Sequence, residues 1–157
     1  MTINANEIFR GGTCMLCKAG LAVGGTSTLA RANCPTTAGY IVWAINGITY
    51  SLVDADDNVT LSGDTQADLT TCLYLVIIST GGVMTVVKGD EVLTADLASG
   101  KEVLHYPAPT DGYCPVGAIK VVTSGATFIP GVTALDAGTV TDTYYDFFCI
   151  PSAPMTS

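Results

Sequence analysis

Charge is scarce in this chain. Asp, Glu, Lys and Arg together make up 13% of its 157 residues, against a usual share of about 25%, so much of the surface must be uncharged, and assembly is one way to tolerate that. Histidine occurs once, at His105. A Ser-His-Asp or Cys-His arrangement would have to use it, and no Gly-x-Ser-x-Gly marks a nucleophile. The Gly-Gly pairs at 11–12, 24–25 and 81–82 lack the Lys-Ser/Thr of a phosphate loop. The fourteen acids single out no carboxylate pair. No catalytic residue is assigned, and the chain reads as a non-enzyme. It has no run of about 18 apolar residues, and no charged n-region followed by an apolar h-region at its start. We expect neither a membrane span nor export, and assembly in a cytosol. Helical 3.6-residue periodicity is missing over any long stretch.

The net charge of −8 is unevenly spread. Before Asp54 the charged residues are Glu7, Arg10, Lys18 and Arg31, a sum of +2, and the remainder carries −10. A strongly acidic body is repelled by phosphate backbones, which argues against direct nucleic-acid binding.

What the chain does have is apolar residues, 48% of the total, punctuated by seventeen Gly and seven Pro. The most apolar stretch, residues 70–88, reads as two strands around Gly81-Gly82. A two-residue turn there sets Ile78 against Thr85 and Val76 against Val87 on one face, with Ile77 against Val86 and Ser79 against Met84 on the other. Both faces are largely apolar. One is therefore assigned to the core and the other to a subunit contact, the alternative being the central pair of a sandwich capped by the C-terminal aromatic strand. Asn46-Gly47 is the strongest short hairpin signal in the chain. It pairs Ile45 with Ile48, Trp43 with Tyr50 and Ile41 with Leu52 on a core face, and Ala44 with Thr49 and Val42 with Ser51 on the opposite face.

Further strands are expected at 26–33, 58–61, 116–123 and 139–150, the last carrying Tyr144, Tyr145, Phe147, Phe148 and Ile150. A single helical turn is expected within 90–101, a loop at 107–112, and a type II turn at Pro130-Gly131. About eight short strands separated by turns define an all-β fold, an antiparallel β-sandwich. The division is an N-terminal arm at 1–39, a β-sandwich body at 40–150 and a C-terminal tail at 151–157, the alternative for the first segment being a terminus that packs on its own domain.

Six cysteines stand at 14, 17, 34, 72, 114 and 149. Cys14-Met15-Leu16-Cys17 has zinc-ligand spacing, but no second close pair exists, and His105 with Cys34 is the remaining completion. Cys72 and Cys149, in apolar strands, read as small buried side chains. Asp54-Ala55-Asp56-Asp57-Asn58 places oxygen ligands at alternate positions, as a calcium loop begins. Val59 stands where that loop needs Gly and Thr65 where it needs Glu, so the segment reads as a solvated turn. No metal and no cofactor are assigned.

Taken together, Ile41–Tyr50 (IVWAINGITY), Thr71–Val76 (TCLYLV), Pro115–Thr123 (PVGAIKVVT) and Thr127–Asp136 (TFIPGVTALD) resemble structural proteins of tailed-phage virions, most closely head decoration, or cement, proteins. The resemblance covers roughly residues 40–150. It implies a β-rich body, a homo-oligomer with a trimer favoured, and a place on the capsid exterior bridging major capsid subunits, with assembly in the host cytoplasm. The arm then becomes the expected clamp, with Phe9, Arg10, Met15, Leu16, Leu21 and Val23 as capsid or subunit contacts. Its deletion through Asn33 is expected to leave a folded protein that no longer binds. The alternative is a tail or head fibre module that binds host-surface glycans, for which Tyr106 and Tyr113 are the candidate stacking residues.

Overall fold

Asn46 and Gly47 take φ values of 52° and 80°, the two left-handed residues that a type I′ turn demands. In the computed structural model, which describes residues 12–35 and 39–147, this turn joins β4 (Tyr40–Ile45) to β5 (Ile48–Val53). The expected register holds throughout, from Ile45 opposite Ile48 through Trp43 opposite Tyr50 to Ile41 opposite Leu52. Ile41, Trp43 and Ile45 are buried, Thr49 and Ser51 exposed. The Trp43 and Tyr50 rings stack with centroids 5.9 Å apart.

The second hairpin departs from expectation by one residue. β7 (Thr70–Ile78) and β8 (Met84–Lys88) pair with Ile78 opposite Met84, Ile77 opposite Thr85 and Val76 opposite Val86. The loop has three residues. Ser79 N–H donates to the Val83 carbonyl, Gly82 N–H bonds back to the Ser79 carbonyl, and only Gly82 of this loop is left-handed, at φ 80°. A type I turn closed by a left-handed glycine accounts for this pattern, and the extra loop residue moves β8 by one position and exchanges its faces.

All nine residues of β7 are buried. One face, with Cys72, Tyr74, Val76 and Ile78, belongs to the main core. Leu73, Leu75 and Ile77 on the other face are 5% exposed or less within the single chain. That face is therefore covered intramolecularly, and the assignment of it to a subunit contact is corrected.

The remaining strands are β1 (Cys14–Met15), β2 (Leu21–Val23), β3 (Ala30–Ala32), β6 (Ala55–Thr60), β9 (Val92–Leu93), β10 (Cys114–Thr123) and β11 (Val140–Asp146). A five-residue helix, α1 (Thr94–Ala98), supplies the expected helical turn. Two sheets result. A three-stranded sheet runs β1-β4-β5, and a larger one runs β11-β10-β7-β8-β6-β3-β2 with β9 paired to β7. The pairings are antiparallel except β6 with β8. The ends of the large sheet approach each other: Leu21 N–H donates to the Asp146 carboxylate at 3.0 Å. Gly117 sits at this seam, where a Cβ would lie 2.3 Å from the Tyr145 carbonyl oxygen and 2.5 Å from Leu21. The result is an all-β sandwich close to a closed barrel. Its core joins Tyr74, Val76, Ile119 and Phe128 of the large layer to Ile41 and Trp43 of the small one.

Residues 12–35 belong to this body rather than extending from it. β1 pairs with β4, and β3 with β6. The strand expected at 26–33 is shorter, because Leu29 N–H bonds to the Thr26 carbonyl in a turn. The C-terminal aromatic strand is an edge neighbour of β10 rather than a cap, with Tyr144 partly buried and Tyr145 38% exposed. Phe148, Cys149 and Ile150 lie outside the described residues. Pro130-Gly131 makes the expected turn, with Gly131 at φ 77° and Val132 N–H bonded to the Ile129 carbonyl.

Candidate interaction surface

The acidic segment after Asp54 is neither a cation loop nor a solvated turn. It forms β6, which binds the first hairpin of the chain. Asp57, itself left-handed at φ 62°, accepts hydrogen bonds from the Thr26 N–H at 2.8 Å and the Thr26 hydroxyl at 2.7 Å. These bonds hold the Asp57 carboxyl below the usual carboxylate range. Asp56 pairs with Arg31 at 3.1 Å. Asn58 replaces a missing ladder bond where the β3–β6 register shifts, accepting from Ala32 N–H at 2.7 Å and donating to the Ala32 carbonyl at 2.9 Å. The oxygens that suggested a metal are thus used in holding strands together.

Among the described residues no group of three or more His, Cys, Asp or Glu side chains is placed to hold a metal ion. His105 lies on an exposed stretch whose main chain passes Gly89. A cavity of about 310 Å³ opens beside β1, lined by Thr13, Cys14, Met15, Pro115 and Phe147. This lining offers no acid–base pair. No helix among the described residues is long and apolar enough to cross a membrane.

The three-stranded sheet stands out for what its surface lacks. Its outer face carries Cys14 and Leu16 from β1 and the residue after it, Tyr40, Val42 and Ala44 from β4, and Thr49, Ser51 and Val53 from β5, with no charge among them. Leu16, Tyr40 and Val53 are 45%, 47% and 60% exposed. Among the described residues β5 is also an open edge, with β4 its only strand partner.

The direction of its backbone groups follows from the turn. A two-residue hairpin makes Ile45 and Ile48 a hydrogen-bonded pair, so the alternate pairs at Thr49, Ser51 and Val53 point their N–H and C=O groups away from β4. Val42 agrees with this parity. Opposite Ser51, it bonds outward, its carbonyl accepting from Leu16 N–H at 2.9 Å and its N–H donating to the Cys17 sulfur at 3.2 Å. β5 therefore presents three outward N–H groups and three outward carbonyls, and its sequence, ITYSLV, contains no charge, proline or glycine to blunt them.

The six residues expected to contact a capsid are distributed differently. Met15 and Leu21 are buried in the protein's own core. Val23 is half-buried against it, and Leu16 alone of the described four is exposed, on the uncharged face. Phe9 and Arg10 lie outside the described residues. Alternation along β4 and β5 identifies this face, but nothing in the sequence shows that β5 has a single strand neighbour among the described residues. Trp43, the strongest glycan-stacking candidate by residue type, is 1% exposed, whereas Tyr106 is 53% exposed and packs edge-on to Phe147.

No protein-family model matches the chain, and neither a curated protein nor a solved structure matches it significantly.

Proposed function

We propose that this protein is a non-enzymatic structural protein of a tailed-phage virion, which decorates the outside of the capsid and stabilises it by bridging major capsid subunits. The reading rests on the resemblance carried by residues 40–150 and on one observation, the open, uncharged β5 edge bordering an uncharged sheet face. Such an edge accepts an extended segment of a partner, main-chain hydrogen bonds supplying affinity and the exposed face supplying apolar contact. A decoration protein works by binding only the assembled shell, which stabilises that state by mass action and requires no reaction. The partner is the major capsid protein. The protein acts as a homo-oligomer, a trimer on the resemblance, at the exterior of the virion, and its acidic body faces water rather than the packaged nucleic acid.

Ser51→Pro tests the reading. Residue 51 directs its N–H outward, so proline there leaves the β4–β5 ladder intact while removing a docking donor and placing a ring on the edge. Purified wild-type protein should co-sediment with capsids that lack it, and the variant, with an unchanged circular dichroism spectrum, should lose at least about tenfold in affinity, the equivalent of one or two hydrogen bonds. Undiminished binding by Ser51→Pro would exclude the β5 edge, and failure of the wild-type protein to bind any capsid would exclude decoration.

A further inference from the structure

Cys17 and Cys34 are seventeen residues apart in sequence and meet in the fold. The β2–β3 pairing sets Leu21 opposite Ala32, and it continues past the strand ends, with Asn33 N–H bonded to the Gly20 carbonyl at 3.4 Å. The approach there is at backbone distance. A Cβ on Gly20, which has φ 65°, would lie 2.2 Å from the Asn33 carbonyl oxygen and 3.2 Å from the Pro35 ring. The same register places Cys34 opposite Ala19, two residues after Cys17. The Cys34 side chain is among the groups that raise the Cys17 thiol, as its neighbour across this turn. Cys34 is 4% exposed and lies in the core cluster, and Cys17 is half-buried against that cluster. The Cys17 sulfur is held from a third side by the Val42 N–H.

We propose that Cys17 and Cys34 are a cross-linking site, a dithiol that closes to an intramolecular disulfide when the protein meets a low-molecular-weight disulfide such as oxidised glutathione. The half-exposed Cys17 thiolate attacks one sulfur of glutathione disulfide, forming a mixed disulfide and releasing one glutathione thiolate. Cys34 then attacks the Cys17 sulfur, forming the Cys17–Cys34 bond and releasing the second glutathione. The two protein thiols are oxidised, the glutathione disulfide is reduced, and the two thiol protons leave on the two glutathiones. The groups that face Cys17 set the pace. Burial first, then Cys34 and the Asp146 carboxylate, raise its thiol above the ordinary value, against the Val42 N–H, which favours the thiolate. The pair closes faster as pH rises and the thiolate fraction grows, and closes only as far as the supply of glutathione disulfide drives it. The bond staples the end of β3 to the segment between β1 and β2. This site stands independently of the capsid reading.

The test is a peptide map of the wild-type protein, first fully reduced and then incubated with glutathione disulfide. The expected result is a mass lower by about 2 Da for the two hydrogens removed, one linked peptide joining residues 17 and 34, and the other cysteines unchanged. In Cys34→Ser the same treatment should leave glutathione attached at Cys17, because the resolving thiol is gone. A wild-type map with Cys17 and Cys34 both still thiols, with glutathione retained on Cys17, or with either joined to another cysteine would overturn the assignment. The map needs only the wild-type chain, so a poorly folding variant would not blunt it.

Discussion

Gln66 carries the most demanding polar contact set in the core, and its replacement by leucine gives a quantitative test of the fold. The residue is fully buried. Its amide donates to the Thr70 carbonyl at 3.2 Å and the Val121 carbonyl at 3.1 Å, and its Oε1 accepts the Tyr74 hydroxyl at 3.1 Å. Burial, with smaller contributions from Cys72 and Glu91, pushes the Tyr74 phenol far above its ordinary value, so it remains a donor at any working pH. Leucine fills a similar volume but leaves that hydroxyl without an acceptor, at a cost of about 1–3 kcal/mol, and removes two amide donor bonds of about 0.5–1.5 kcal/mol each. The Thr70 carbonyl keeps the Thr123 hydroxyl at 3.1 Å, and the added apolar burial returns about 1–2 kcal/mol. The net loss is then about 2–3 kcal/mol, a fall in melting temperature of about 4–12 °C for a chain of this size. Adding Tyr74→Phe removes the orphaned hydroxyl, so the double variant should be about 1–2 kcal/mol more stable than the sum of the two single losses requires. Urea melts of the four proteins supply the cycle. Additive losses would show that Tyr74 does not depend on Gln66, and that this account of the core is wrong.

Two further predictions follow from single positions. Trp43→Asp puts a carboxylate at a site only 1% exposed, a desolvation cost of several kcal/mol on top of the lost packing, and should abolish soluble folded protein; Thr49→Asp, on the exposed face of the same hairpin, should melt within about 2 °C of wild type. Comparable melts for the two would mean the register is wrong. Because its bonds to Thr26 lower the folded-state pKa of Asp57, its contribution is present above the unfolded value of about 4 and is lost as pH falls through the folded one. The difference in melting temperature between wild type and Asp57→Asn should therefore be full at pH 7 and shrink steadily below about pH 4, and a constant difference would dismiss the carboxylate as its source.

How much of this was legible in sequence depended on whether local chemistry had one solution. Asn46-Gly47 admits little besides a two-residue type I′ turn, so register, faces and the burial of Trp43 all followed from it. Gly81-Gly82 admits both a two-residue turn and the left-handed end of a three-residue turn, and the choice rests on Ser79, whose side chain accepts from Val83 N–H at 3.1 Å. A slip of one residue then exchanged both faces of β8. The segment after Asp54 misled for another reason. Its spacing of oxygens suits a cation, but the partners that use them, Thr26, Arg31 and Ala32, lie more than twenty residues away. That β5 has one strand neighbour among the described residues was illegible on principle, since the number of a strand's neighbours is a property of topology and leaves no mark in its own residues.

Residues 12–35 take the second of the two courses open to such a segment, packing on their own domain, and they sharpen the test of where a partner binds. Glycine-broken sequence with short apolar pieces looks like an arm, yet Met15, Ala19, Leu21, Ala30 and Ala32 are all buried. Truncating a buried Leu or Met to Ala costs about 2–5 kcal/mol each, so deleting through Asn33 removes about 4–10 kcal/mol by Met15 and Leu21 alone, comparable to the total stability of about 5–15 kcal/mol. It also strips β4 and β6 of neighbours and leaves Asn58 without the Ala32 backbone it bonds. That deletion should yield a protein without a cooperative melt, and a sharp thermal transition would refute the placement of β1–β3 in the body. A chain beginning at Gly12 keeps every one of these contacts while removing Phe9 and Arg10. If it binds capsids as wild type does and Ser51→Pro does not, the partner sits on the β5 edge; if the outcomes are reversed, the contact belongs to the first eleven residues and the edge serves some other neighbour.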